Sequence, residues 1–431
     1  MANDILKALP ELVEAGLIST QKAEDIRLYY EAKKQPAQNR LLVIFSILGA
    51  ILVGLGIILI IAHNWDDLSR TIKSVFAFIP LLIGQAACAY VILRKPENTA
   101  WKEGASAFLI FGVGASISLI SQIYNIEGDL GGFMLLWMLL IAPLMYLMKS
   151  SISSLLFLAG ITYYATIVGY DQYPSENAWP YWGLLLVGLP YYLNLIKTQP
   201  EGNFTRFHHW FYPLSLTICL GIWSDGLEEW MLPAYIAMFG CLYIIGNLPY
   251  FKSLKGINNG YLIIGALGSM SLLITLSFDW FWEDLSRMAE GIGYFYTVQE
   301  FWLLAALSVI GLGLLLWSKR RGNWREIRPL EIVFLLVLLV FLLGFQAPLA
   351  SRILISIIIL GTGLFTILEG ARRDHLGILN YGLLIITSLI VARFFDQEIS
   401  FVIRGIMFVV VGISFFTANY LMIKKRKQDA V

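Results

Sequence analysis

The chain has 431 residues, 58% hydrophobic and only 14% charged, with a mean hydropathy of +0.70 and a formal net charge of +1. A water-soluble chain carries roughly 25% charged and about 45–50% apolar residues, so this composition excludes an ordinary soluble globule. The apolar residues come in blocks of roughly 16–23, the length that crosses a hydrocarbon core of about 30 Å. In lipid every backbone N–H and C=O must be satisfied internally, so such blocks are read as helices. The alternating strands of about ten residues that build an outer-membrane barrel do not appear.

Residues 1–38 read as a small soluble helical hairpin. Ile5, Leu6, Leu9, Leu12 and Val13 recur at helical spacing, and Gly16 stops that helix. Ser19 can cap a second helix from Thr20 to about Lys34, with Ala23, Ile26, Leu28 and Tyr29 on its apolar side and Pro36 after it. No cleavable signal peptide is expected, because polar and amphipathic residues precede the first apolar block.

After Arg40 about fourteen apolar spans follow. They run over 41–62, 71–93, 105–125, 133–148, 151–169, 181–196, 211–223, 231–248, 261–278, 301–317, 330–345, 353–368, 376–391 and 401–423. The expected fold class is therefore all-α: a polytopic transmembrane helix bundle over 39–423, preceded by the hairpin and followed by a basic cytoplasmic tail at 424–431. Most of the 31 Lys and Arg fall in the connectors of one side, as cytoplasmic loops do. The opposite side holds Arg70, Lys73, Arg287, Arg352, Arg393 and Arg404. An even number of spans, with both termini cytoplasmic, fits this distribution.

The outer loops are acidic and aromatic together, as in His63-Asn64-Trp65-Asp66-Asp67, Tyr170-Asp171-Gln172-Tyr173 and Asp279-Trp280-Phe281-Trp282-Glu283-Asp284. Trp and Tyr favour the membrane–water interface, so an aromatic belt accounts for them, while aromatic faces beside carboxylates also suit sugars or cations. Trp65-Asp66-Asp67-Leu68-Ser69-Arg70 is echoed by Trp282-Glu283-Asp284-Leu285-Ser286-Arg287; chance and an ancient duplication both fit the echo.

Catalytic signatures are scarce. No H-E-x-x-H, P-loop, G-x-S-x-G or Cys–His metal spacing occurs, and no cofactor or metal site is expected. Cys88, Cys219 and Cys241 fall inside apolar blocks and read as packing residues. His208 and His209 are adjacent, so on a helix they point to different faces; an interfacial loop is the plain reading. The Asn203-Phe204-Thr205 sequon falls on the expected cytoplasmic side and carries no weight.

Polar groups inside lipid are more informative, because each costs free energy unless paired or wetted. Span 105–125 carries Gly114, Ser118, Ser121, Gln122 and Asn125 at spacings that share a helical face. Either these form a helix–helix seam, with Gly112, Ala115 and Ser116 beside them, or they wall a polar cavity opening outward. In span 71–93, Pro80, Gly84 and Gln85 could kink the helix and leave carbonyls free. Lys73 and Arg404 lie just inside their spans, and Arg352 and Arg393 sit at outer ends. These cations snorkel, pair with Asp396 and Glu398, or form a cluster for an anionic lipid headgroup. The candidate binding residues are Asn64, Trp65, Asp66, Lys73, Gln122, Tyr124, Asn125 and Arg404, the first two expected close to Gln122 and Asn125.

The run Leu12-Val13-Glu14-Ala15-Gly16-Leu17-Ile18-Ser19, the exit Ala62-His63-Asn64-Trp65-Asp66, Lys73, and Ser121-Gln122-Ile123-Tyr124-Asn125 together resemble the bacterial DUF2157 predicted membrane protein family. The resemblance covers roughly 5–150 and implies residence in the bacterial inner membrane; it supplies no catalytic residues. Three functions fit. The favoured one is a transporter or carrier for a lipid, a glycan or a small polar or anionic solute. The second is a scaffold or sensor that assembles through the hairpin. The third is an intramembrane enzyme using Asp66, Asp67 and Glu127 on a lipid-linked substrate. Membrane lipids, a second copy of the chain or a membrane protein are the partners expected, and nucleic acid is not.

Overall fold

The computed structural model describes residues 2–32, 38–63, 69–170, 178–224, 228–288, 297–320 and 327–394, together with isolated positions between 400 and 420. The N-terminal hairpin is built as its sequence requires. α1 (Ala2–Glu14) runs up to a turn at Gly16, whose φ of +69° suits a residue without Cβ, and the Leu17 amide returns to the Leu12 carbonyl. Ser19 Oγ accepts the Lys22 amide at 3.4 Å to open α2 (Thr20–Ala32). Leu9 and Ala23 are buried where the two helices pack.

The chain divides into two compact units, residues 1–161 with 187–191, and residues 162–186 with 192–431. The first holds α3 (Gln38–His63), α4 (Arg70–Arg94), α5 (Thr99–Tyr124), α6 (Leu130–Leu147) and the first half of α7 (Ser151–Tyr170). Its packing runs on close backbone contact between α4 and α5. A Cβ on Gly84 would lie 2.9 Å from Leu109 Cα, and one on Gly112 would lie 3.0 Å from the Pro80 carbonyl. Small residues allow this approach, and Ser116 Oγ donates across it to the Ala77 carbonyl at 2.6 Å. Pro80 does not end α4, and its carbonyl is covered by Gly112. On α5, Trp137 from α6 lies over Gly114 and donates Nε1–H to the Ile110 carbonyl at 2.8 Å. The small residues of this span thus form a helix–helix seam.

The second unit continues α7 from Thr162 and adds most of α8 (Pro180–Thr198), α9 (Asn203–Cys219) and a 3-10 turn at Leu220–Trp223. It goes on through α10 (Glu228–Gly246), α11 (Pro249–Lys252), α12 (Gly260–Thr275), α13 (Asp279–Met288), α14 (Gln299–Arg320), α15 (Pro329–Gly344), α16 (Pro348–Arg372) and α17 (Leu376–Phe394). α10 is the most enclosed of the membrane-length helices, 78% of its apolar window being buried. It contributes Trp230, Ile236 and Ile244 to a core completed by Phe281, Trp282, Phe334, Phe341, Ile355, Ile359 and Ile385. Trp282 therefore belongs to the core rather than to an interfacial belt; its Nε1–H donates to the Leu276 carbonyl at 2.6 Å.

α12 and α13 pass together as one apolar stretch but are bent by 71° at the intervening break. Such a break frees carbonyls, and Arg393 of α17 donates to the one at Ser277 while standing 3.3 Å from Ser356 Oγ. Arg352 of α16 pairs with Asp279 at 3.5 Å. These are the partners seen for the two outer arginines; Asp396 and Glu398, expected in that role, lie outside the described residues.

Each predicted span from 41–62 to 376–391 coincides with a helix, and the described residues contain no strand. The last, 401–423, falls largely outside the described residues. Among the described residues, eight helices can cross a membrane by length and composition, or nine with the bent pair, where fourteen spans were expected over the whole chain. α9 is one that does not qualify: it is short, and its inward face is polar. In the first copy of the echo, Trp65, Asp66, Asp67 and Leu68 lie outside the described residues, and the described Ser69 differs in setting from Ser286. Ser69 is the extended N-cap of α4, whereas Ser286 lies within α13, where Arg287 pairs with Glu283 and Asp284.

Candidate functional site

Of the expected site residues, Asn64, Trp65, Asp66 and Arg404 lie outside the described residues, and so does their expected proximity to Gln122 and Asn125. Lys73 is half-buried in the first turns of α4, and its neighbour Ser74 meets the Tyr124 hydroxyl at 3.1 Å. That contact brings the start of α4 to the end of α5. Gln122 and Asn125 are exposed. Asn125 acts locally. At φ 48° it caps α5 in the left-handed conformation, while the Ile126 amide bonds the Ser121 carbonyl at 3.0 Å. Glu127 is exposed too, and Asp66 and Asp67 are not among the described residues.

The concentration of buried polar chemistry lies instead along α9. Thr205, His208, Tyr212, Ser215 and Cys219, spaced three and four residues apart, share one face and are all buried. Phe207, Phe211, Leu214 and Ile218 occupy the other face and are exposed. This inverts the usual amphipathic helix, in which the apolar stripe faces the core. In lipid the inversion is the stable arrangement, because hydrocarbon satisfies no hydroxyl or imidazole.

Partners from neighbouring helices satisfy this face in three groups. At the end nearer the 199–202 connector, His209 Nδ1 stands 2.7 Å from the Tyr192 hydroxyl and Nε2 stands 3.2 Å from that of Tyr250. Tyr192 stacks on Tyr212 with centroids 4.6 Å apart, and His208 Nδ1 donates to the Phe204 carbonyl at 2.7 Å. Midway, Ser215 Oγ meets Tyr181 at 2.8 Å and Thr162 at 2.6 Å. At the far end Tyr170 and Tyr235 bring their hydroxyls together over Gly221, where a Cβ would lie 2.6 Å and 3.0 Å from them. Trp179, Trp182 and Trp223 cluster beside that end. Both histidines are fully buried rather than interfacial, although they do point to different partners.

A second buried polar group closes the end of the unit that carries basic connectors. Lys319 pairs with Glu331 at 2.7 Å, and Arg328 pairs with Glu369 at 3.0 Å while also bonding Asn247. Arg373 reaches the same Glu369 carboxylate at 3.1 Å. Burial opposes the charged form of the Arg328 guanidinium, yet Tyr243, Glu369 and Glu331 around it hold its pKa above the ordinary value. α10, α14, α15 and α16 are tied together here.

Sequence reasoning passed over both groups. The spacing of 205, 208, 212, 215 and 219 was a readable signal for the first. Glu331, just inside one apolar block, and Glu369, just past the end of another, both beside basic connectors, were the signal for the second.

Helices of membrane length, an apolar exterior and a buried polar interior define a multi-pass membrane helix bundle. Within it, residues 10–154 match the family described as "Predicted membrane protein (DUF2157)". Neither curated proteins nor solved structures give a match. The family segment runs from α1 to the first turn of α7 and contains the described residues of the expected site.

Proposed function

We propose that the protein is a carrier for small polar solutes, with the inward face of α9 as its path. The observation behind this reading is the inverted helix: hydroxyl, imidazole and thiol groups on the enclosed side, phenyl and aliphatic groups on the exposed side. A bundle that served only as an anchor would gain stability from an apolar interior there, since each buried polar group must find a partner. The bend between α12 and α13 adds a second feature of carriers, a discontinuous helix. The clustering of basic connectors supports residence in a bacterial inner membrane with both termini in the cytoplasm.

The test uses the purified chain in vesicles whose swelling is followed by light scattering in glycerol, ribose or alanine. Entry of at least one of these faster than in protein-free vesicles is expected, with Ser215→Leu abolishing it. Equal rates with and without protein for all three would rule the carrier out. A second reading, assembly with a partner protein or a second copy, is favoured by the hairpin, where α2 leaves Leu28 and Tyr29 exposed. Loss of a crosslinked species on Leu28→Ser would support it.

A further inference from the structure

Tyr250, His209 and Tyr192 form an arrangement at α9 whose hydrogen-bond directions can be deduced along its length. The Tyr250 hydroxyl donates to the Pro200 carbonyl at 3.1 Å, and a carbonyl can only accept. Its single proton is thereby used, so the Tyr250 oxygen accepts from His209 Nε2–H across 3.2 Å. In a neutral imidazole Nδ1 is then the acceptor, and the Tyr192 hydroxyl donates to it across 2.7 Å. The Tyr192 oxygen is left to accept, and the hydroxyl of Tyr261 lies against it. Every link points the same way, from the buried Tyr261 towards the exposed Pro200.

We propose that this file is a proton relay, with His209 receiving a proton at Nδ1 from Tyr192 as it releases one from Nε2 to Tyr250. The balance is simple. Each O–H or N–H bond that breaks is replaced by one at the next atom. A proton supplied to Tyr261 by water enters the file, and the Tyr250 hydroxyl releases one to water beside the exposed Pro200, whose carbonyl orients that hydroxyl and does not itself take the proton. An imidazole bonded at both nitrogens is the side chain suited to such a hand-over. The groups facing it are Tyr192 from α8, Arg206 and His208 from α9, Tyr250 from α11 and Tyr261 from α12. Arg206 is the charged member, and its positive charge favours passing a proton on over holding it.

Further along the same face, Ser215 meets the hydroxyls of Tyr181 and Thr162, while Tyr212 stacks on Tyr192. The relay would make the proton the coupling ion of the carrier. That use rests on the function proposed above, whereas the proton transfer itself does not.

The full chain is reconstituted with an entrapped pH dye, and proton entry is driven by a potassium diffusion potential with valinomycin. Entry above that of protein-free vesicles is expected. His209→Gln, which keeps a donor and an acceptor but takes up no proton, and Tyr192→Phe, which keeps the ring stack, should both lose it. Tyr163→Phe, on an exposed position of α7, should retain it. Wild-type entry no faster than protein-free vesicles, or undiminished entry in His209→Gln, overturns the relay. The nitrogen-15 spectrum of His209 supplies a check free of any folding defect: a proton on Nδ1 rather than Nε2 would reverse the deduced direction and overturn it as well. Solute swelling without proton entry would leave the carrier standing and the relay gone; proton entry without swelling would do the converse.

Discussion

Glu103 of α5 closes the start of α7 through Ser150: its carboxylate accepts the Ser150 hydroxyl at 2.5 Å and the amides of Ser151 and Ile152 at 3.0 and 2.9 Å. A helix N-terminus leaves such amides without intrahelical partners, and an acid placed there answers both the hydrogen bonds and the dipole. Here the cap comes from a residue 47 positions away, so it fixes one helix against another. Glu103→Ala would leave a buried hydroxyl and two amides unmatched, at a cost of about 1–3 kcal/mol each. A clear fall in the unfolding temperature of the detergent-solubilised protein is expected, and an unchanged value would refute the cap.

The Lys319–Glu331 pair is buried, with side chains 10% and 6% exposed. Removing one partner of such a pair strands the other, at about 3–5 kcal/mol, whereas replacing both with apolar groups is often neutral. Lys319→Met should therefore lower thermal stability strongly, and adding Glu331→Leu should recover most of the loss. A double variant as unstable as the single one would contradict this.

Gly265 of α12 faces α10 so closely that a Cβ would lie 2.6 Å from the Tyr243 nitrogen. Because the obstacle is backbone, Gly265→Val should destabilise by about 1–3 kcal/mol or prevent folding. Gly313 on α14 has nothing within 4 Å of the corresponding position. Gly313→Ala should leave stability unchanged or raise it by about 0.5–1 kcal/mol. Comparing the two unfolding temperatures checks the helix packing, and similar losses would speak against it.

Asn125 separates a cap from a ligand-binding role. Its φ of 48° suits glycine and penalises a β-branched residue by about 1–2 kcal/mol. Asn125→Gly should preserve stability and Asn125→Val should reduce it. If Asn125→Gly instead abolished solute entry in the swelling assay while the protein stayed folded, the side chain would be part of the site.

That this chain is a bundle of helices in a membrane was legible from the amino acids alone. Apolar blocks long enough to cross lipid leave the backbone no other way to satisfy its own hydrogen bonds. Local punctuation was legible as well: Gly16 and Ser19 turn the hairpin, because left-handed backbone and N-caps depend on the residue at the spot. The direction in which each polar residue faces depended on the packed fold. Gln122 fitted either a helix–helix seam or a cavity wall and is exposed, while His209 looked interfacial and is buried between Tyr192 and Tyr250. In water an apolar stripe marks the inside of a helix. In lipid both faces of a helix can be apolar, so only the neighbouring helices settle which polar groups find partners and which connectors bring Arg328 to Glu369.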